Sequence, residues 1–467
     1  MSHNAVIARG PSPRAEHRWE AIRMQAKEAP AATPLSRKTW LVIVLLALVG
    51  QIAWAVENNF FNLFIQDAFG ASLADVALMV SASAATATAT TLLVGTFSDR
   101  VGKRKVFVVA GTLIWGISIC LFAVLQQISG ALARDAAAAA SLGITLTVVA
   151  DCIMTFFGSF ANDACFNAWL TDITDETNRG RVEGVNSAMP LLSMLVVFGG
   201  AMFLMIVGDD GSVTYNYPLF FTIIGGVVIA TGIITALCMD ESHPEPRKGE
   251  GYFAELAYGF MPSSMGENRL LYLVLFGYCI FACAMQVFMP YYVLYLRLPY
   301  ILGENYVFVM APCIIIASVF TILYGRLVDT RGFSATVTLP LLFFIAGCIL
   351  LTVFSNAVGV FIGSMLMLSG YLGAVACFSA AIRNHTPADR VGLYQGVRIF
   401  MVVLVPMLVG PWIGSSVSAS SGVVGFGVVG DGFAPSSLIF AAGAAVSLLT
   451  FVLTWLIRKQ ERLEAAA

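Results

Sequence analysis

Between Thr39 and Ile457 the sequence returns again and again to apolar runs long enough to cross a bilayer, and nothing else limits its fold as strongly. A span needs about 20 predominantly apolar residues, because the hydrocarbon layer is about 30 Å thick and a helix rises about 1.5 Å per residue. Twelve such runs can be read, at about 39–66, 73–97, 106–126, 143–168, 183–207, 215–238, 270–296, 303–326, 335–354, 357–381, 394–416 and 435–457. Backbone groups in lipid must be satisfied within the segment, so runs of this length are helices. The expected fold is therefore all-α, a polytopic membrane protein with twelve transmembrane helices. Composition agrees, with 58% hydrophobic and 12% charged residues, against about a quarter charged in soluble domains.

The polar segments carry a repeat. Gly95 to Lys105 reads GTFSDRVGKRK, between the second and third runs, and Gly325 to Gly332 reads GRLVDTRG after the eighth. Gly95, Asp99 and Gly102 map onto Gly325, Asp329 and Gly332 at one constant offset. The loop TDETNRGRVEGV at 174–185 likewise matches TPADRVGLYQGV at 386–397. A duplicated chain follows. Residues 1–38 form a polar N-terminal tail, 39–238 one six-helix bundle, 239–269 a charged linker, 270–457 a second, pseudo-symmetric six-helix bundle, and 458–467 a short C-terminal tail.

Lys and Arg in short loops set orientation. Arg37 and Lys38, the run Arg100, Lys103, Arg104 and Lys105, then Arg179, Arg181, Arg247, Lys248, Arg326, Arg331, Arg383, Arg390, Arg458 and Lys459 all fall on one side if the span count is even. Asp67, Asp75, Asp209, Asp210 and Asp431 lie on the other. The expectation is a multi-pass protein of the cell membrane with both termini cytoplasmic.

Ionisable groups deep in a span are costly and mark candidate functional sites. In the first span, QIAWAVENNFFN holds Gln51, Trp54, Glu57, Asn58, Asn59 and Asn62. On a regular helix Gln51, Asn58 and Asn62 share a face, and Glu57 is turned about 100° from Asn58 toward Trp54 and Phe61. Glu57 and Asp151, in the fourth span, each fall about 6 Å outward of the midplane. Two carboxylates at one depth could share a proton, or hold one cation together with the asparagine amides. They could also only pin helices by hydrogen bonds. Asp163 and Asp172 approach the cytoplasmic end of the fourth span, where Asp163 is expected to meet a cation of the 95–105 loop. The second half has almost no deep charge. Gln286 is its deepest contact candidate, Pro290 a kink, and Tyr291, Tyr292 and Tyr295 an aromatic belt at the outer interface. Trp54, Asn58, Asn62 and Gln286 are the substrate-binding candidates, and amides with aromatic rings suit a neutral polyol.

GTFSDRVGKRK resembles the signature loop of the major facilitator superfamily, G-x-x-x-D-R-x-G-R-K, with Lys103 and Arg104 in the two final basic positions. The resemblance implies two six-helix bundles that rock about a central site. It also implies a cytoplasmic gate built from Gly95, Asp99, Arg100, Gly102, Arg104, Asp163, Asp172, Arg179 and Asp329. In it Asp99 caps the eleventh helix near Gly396, and Arg100 pairs with Asp163 or Asp172. AWAVENNFFN and ANDACFNAWLTDITDETNRGRVEGVNS are similar to the glycoside–pentoside–hexuronide cation symporters and the sucrose-type proton symporters, with Asp172, Arg179 and Asn186 at matching positions. The second span, SASAATATATTLLVG, lacks the acids of the sodium-coupled members and so favours H+ over Na+ as coupling cation.

The expected function is a secondary active transporter that moves a small neutral solute, a glycoside or oligosaccharide, with a cation. The alternative is proton-driven export of amphiphilic compounds. The expected partners are the solute, the coupling cation and membrane lipid, with the protein acting as a monomer. An enzyme is not expected: His3, His17, His243 and His385 lie in the tail or loops, and no G-x-x-x-x-G-K-[ST] loop occurs. Neither a cofactor nor a metal nor nucleic acid is implied. The nine cysteines read as inert core thiols.

Overall fold

The computed structural model describes residues 35–101, 103–175, 178–207, 213–242, 258–387, 391–422 and 434–466. Among the described residues, twelve helices are long and apolar enough to cross a membrane. They are α1 (Arg37–Phe69), α2 (Leu73–Leu93), α3 (Lys105–Leu132), α4 (Ala136–Ile173), α5 (Arg181–Met202) and α6 (Tyr217–Cys238). The second set is α7 (Arg269–Leu296), α8 (Tyr306–Val328), α9 (Phe333–Val353), α10 (Ala357–His385), α11 (Tyr394–Ser420) and α12 (Leu438–Glu464). Outside these windows, α2 stays helical to Val101 and α8 to Arg331.

Local chemistry sets the helix ends. Ser36 accepts from the Thr39 amide at 3.1 Å, Asp135 from Ala138 at 2.8 Å, Asn216 from Leu219 at 3.2 Å and Asn356 from Gly359 at 2.7 Å. Each side chain satisfies one amide that the first helical turn leaves open. Gly70 ends α1 at φ 66°, a left-handed conformation that glycine adopts without steric cost, and this lets α2 begin three residues later.

Across the seam α2 packs on α11 and α5 packs on α8, and α1 meets α7. Replacing each helix by the one six places away exchanges the first two contacts and returns the third to itself. Below, the end of the bundle bearing Arg37 and Arg458 is called the near end, and the end bearing Gly70 and Arg297 the far end.

Two expectations need correction. Residues 205–207 do not prolong the fifth helix, and Tyr215 does not open the sixth. The chain there forms strands β1 (Met205–Val207) and β2 (Val213–Tyr215), an antiparallel hairpin pairing Met205 with Tyr215. β-Branched and aromatic residues at the helix ends account for the switch. Tyr291, Tyr292 and Tyr295 are not a lipid-facing belt, since all three are buried. Their helix is interrupted at Val287 and Phe288, where Pro290 lacks the amide that would continue the ladder. The restarted segment turns inward, and the Tyr291 hydroxyl donates to the carbonyls of Pro411 at 2.7 Å and Leu73 at 3.1 Å.

Candidate functional site

A cavity of about 290 Å3 lies on the seam, walled by α1, α2, α5, α7 and α10. From α1 come Gln51, Trp54, Asn58, Asn59 and Asn62, and from α7 Met285, Gln286, Met289 and Pro290. The structure thus brings Trp54, Asn58, Asn62 and Gln286 together at one cavity. None of the lining residues carries a charge. Asn62 also spans the seam, its amide donating to the Pro290 carbonyl at 3.2 Å.

The α1 wall is not a regular helix. Glu57–Phe61 forms a π turn, with a wider i→i−5 pattern. Asparagine amides bond back onto carbonyls before and within it: Asn58 Nδ2 donates to Trp54 O at 2.7 Å, Asn59 Nδ2 to Ala55 O at 2.8 Å, and Asn62 Nδ2 to Asn58 O at 3.0 Å. The cluster ENNFFN is the local reason for the irregularity.

Glu57 turns away from the cavity, into the first half. Its Oε1 accepts from Ser83 Oγ of α2 at 2.5 Å and from Thr155 Oγ1 of α4 at 2.9 Å. The two hydroxyl oxygens stand 2.8 Å apart. A hydroxyl has one proton and two lone pairs, so this triangle serves both protonation states. With the carboxylate ionised, both hydroxyls donate to Oε1. With Oε1 protonated, its O–H donates to one hydroxyl oxygen, and no heavy atom needs to move. Glu57 Oε2 and Asp151 Oδ1 are buried without a hydrogen-bond partner. Asp151 lies one turn before Thr155 and is 1% exposed. The fourth helix therefore reaches Glu57 from inside the first half; among the described residues it does not line the cavity.

At the near end, Arg104 Nε lies 3.0 Å from Asp172 Oδ2, and Arg104 Nη1 donates to Ser98 Oγ at 2.8 Å. Asp172 also accepts from Ser242 Oγ at 3.1 Å. Glu241 Oε1 accepts from the amides of Arg104 at 2.5 Å and Lys105 at 3.0 Å, placing a carboxylate on the N-terminus of α3. Trp169 Nε1 donates to Asp240 O at 3.2 Å. Asp172 is thus held by Arg104. Asp163 falls in a second π turn, Ser159–Phe166. Gly95, Asp99 and Arg100 lie in the helix that continues α2, Arg179 opens the helix containing α5, and Asp329 lies in the helix that continues α8. The roles read for the side chains of Asp99, Arg100, Arg179 and Asp329 fall outside the described residues, as does Gly102.

At the far end, Arg297 Nη1 lies 3.0 Å from Asp67 Oδ2, which also accepts from the Tyr217 hydroxyl at 2.6 Å. The Arg297 guanidinium sits 5.6 Å from the Tyr215 ring centroid, and the Tyr215 and Tyr306 hydroxyls are 2.5 Å apart. Burial lowers the pKa of Arg297, and Asp67 with the surrounding tyrosines more than offsets it, so it stands above its ordinary value. By sequence Asp67 is a loop acid and Glu241 part of the charged linker, and neither reading points to these contacts; Arg297, Ser83 and Thr155 are not singled out at all. Short polar residues within apolar runs were the available signal for Ser83 and Thr155, but nothing local names their partner.

The sequence matches the Major Facilitator Superfamily over residues 39–411. No curated protein matches it. Among solved structures it is similar to a bacterial homologue of the human lysosomal transporter Spinster in an inward-facing, occupied conformation, with TM-score 0.67, 14% identity, and 92% of this chain and 98% of that chain covered. A D-xylose–proton symporter gives TM-score 0.66 at 13% identity, covering 89% and 97%. The nucleoside transporter NupG gives 0.62 at 11%, covering 90% and 98%. At such identities the likeness is one of fold. Twelve membrane-length helices among the described residues and a family match from the first span into the eleventh lead to one assignment: the chain belongs to the Major Facilitator Superfamily and is a transporter.

Proposed function

We propose that this transporter moves a small, neutral, hydroxylated solute together with H+ by alternating access. One observation carries the reading: a cavity on the seam that is lined by amides and aromatic rings, free of charge, and backed across one helix by a buried carboxylate. Amide groups at Gln51, Asn58, Asn59, Asn62 and Gln286 can bond hydroxyls, and Trp54 and Tyr371 can cover a sugar or nucleoside face. A xylose–proton symporter and a nucleoside transporter among the similar folds are consistent with such cargo. The Glu57–Ser83–Thr155 triangle favours a proton over a metal cation, because it exchanges one hydrogen without reorganisation. Basic loops at the near end favour a cytoplasmic near end in the cell membrane.

The cavity is also lined by Met194, Met285 and Met289, whose adaptable side chains favour export of amphiphiles as a second reading. The test is purified protein in liposomes with a trapped pH dye, given D-xylose, sucrose or uridine. Acidification triggered by one of them and abolished in Glu57→Gln supports proton symport. If none moves protons and a lipophilic dye is expelled instead, the second reading replaces the first.

A further inference from the structure

The solute wall and the buried carboxylate belong to one structural element. Glu57 opens the π turn of α1 and faces Ser83 and Thr155, while the next two residues, Asn58 and Asn59, line the cavity. Each of these amides gives one of its two N–H groups to a carbonyl of its own helix, Asn58 to Trp54 O and Asn59 to Ala55 O. A solute that draws on the remaining N–H pulls the amide away from the carbonyl it holds beside the π turn.

We propose that the π turn Glu57–Phe61 couples the solute site to the proton site, with Asn59 as its positioning residue. This rests on the transport reading above. A shift of the i→i−5 pattern by one residue rotates the residues it passes by about 100° about the helix axis. That is the angle between neighbouring residues, so Glu57 moves from the hydroxyls of α2 and α4 to the place in the cavity wall now held by Asn58. There its carboxylate oxygen takes a proton from a hydronium ion in cavity water, forming an O–H bond and leaving water. The return rotation carries the proton back to the hydroxyl triangle. The carboxylates of α4 that act on Glu57 are Asp151 and Asp163. Toward the π turn, α2 brings the Ser83 hydroxyl, α5 and α6 bring Phe198 and Phe220, and α7 brings the Pro290 carbonyl, none of them charged.

The test uses the full chain in lipid nanodiscs, where infrared spectra follow the Glu57 carboxyl band as pH is stepped and Glu57→Gln assigns it. Asn59→Ala, which cannot bond Ala55 O, is expected to move the midpoint by an amount equal to about tenfold in proton affinity, within the usual range of site–site coupling. Asn59→Ser is expected to keep the midpoint near that of the wild type, because a serine hydroxyl can bond the carbonyl four residues back. In liposomes the ratio of proton to solute flux for D-xylose, sucrose or uridine should be about tenfold lower in Asn59→Ala than in Asn59→Ser, each ratio taken on the solute flux that the variant retains. An unchanged midpoint, or an equal flux ratio in the two variants, overturns the proposal. If the wild type carries none of the three solutes, the transport reading fails, and the midpoint still decides the coupling on its own. Amide hydrogen exchange gives a second variant that does not depend on Asn59. In Glu57→Gln, which mimics the protonated side chain, exchange across residues 57–62 should differ about tenfold from the wild type at alkaline pH. Equal exchange overturns the proposal.

Discussion

Arg297 Nη1 lies 3.0 Å from Asp67 Oδ2, and the pair joins the end of α7 to the end of α1 across the seam between the halves. Both side chains are largely buried, at 11% and 19% exposure. Removing one partner of such a pair strands the other, at a cost of about 3–5 kcal/mol when burial is complete and less where water reaches it. Arg297→Gln should therefore favour states with the far end apart. Spin labels at Ile206 and Tyr300, both exposed, would report a longer distance than in the wild type. An unchanged distance distribution would show that the pair does not hold the far end. Asp67→Asn combined with Arg297→Gln should recover part of the loss, since neither charge is then buried alone.

Burial holds the Tyr215 hydroxyl above its ordinary pKa, opposed by its hydrogen bond with Tyr306 and by Arg297. Opening the far end would return the phenol to about 10. The closed state then binds more protons than the open one as pH passes the open-state value. The stabilisation from Tyr215 is fully present below that pH and is lost as pH rises through the raised value of the closed state. The Ile206–Tyr300 label distance should lengthen as pH rises above about 10. Tyr215→Phe should flatten that response, and an alkaline opening of equal size in Tyr215→Phe would refute the assignment.

At the near end, Glu241 caps α3 through the amides of Arg104 and Lys105. Losing a side-chain cap costs about 0.5–2 kcal/mol, and losing the charge alone about 0.3–1 kcal/mol. Glu241→Ala should thus lower thermal stability more than Glu241→Gln, with both measured by unfolding in detergent. Arg104→Lys should not be tolerated as a conservative change. The guanidinium reaches Asp172 and Ser98 at once, and a lysine ammonium presents a single point to both.

The twelve spans were legible because apolar length is a property of the sequence alone, and the repeat at Asp99 and Asp329 gave the twofold. The amide face of α1 and Gln286 were legible for a related reason, since few polar residues enter these runs. What stayed hidden depends on which helices meet. Ser83 reads as one more small residue in SASAATATAT until α2 is packed against Glu57. Asn59 reads as off the cavity face on a regular helix, and only the π turn brings it to the wall. Tyr291 reads as interfacial until the interruption at Val287 and Phe288 turns it onto Leu73 and Pro411.

The second half depends on close backbone contact between α9 and α10. A Cβ built on Gly347 would stand 2.3 Å from Met367 N and 2.6 Å from Gly363 O, and one on Gly370 would stand 2.2 Å from Phe344 N. The obstructing atoms are backbone, so rotamer changes cannot relieve the clash and the helices must part. Small residues of this kind let membrane helices approach where no hydrophobic drive exists. Gly347→Ala should destabilise by about 1–3 kcal/mol, the usual cost of an overpacked core. Gly226 of α6 is exposed on the outside of the bundle and meets nothing within 4 Å, so Gly226→Ala removes only backbone entropy. It should stabilise by about 0.4–1 kcal/mol. The two variants make the same chemical change and differ only in what the added methyl meets. Opposite shifts in unfolding temperature would locate the tight contact at α9 and α10, whereas equal shifts would mean that the helices there have room to spare.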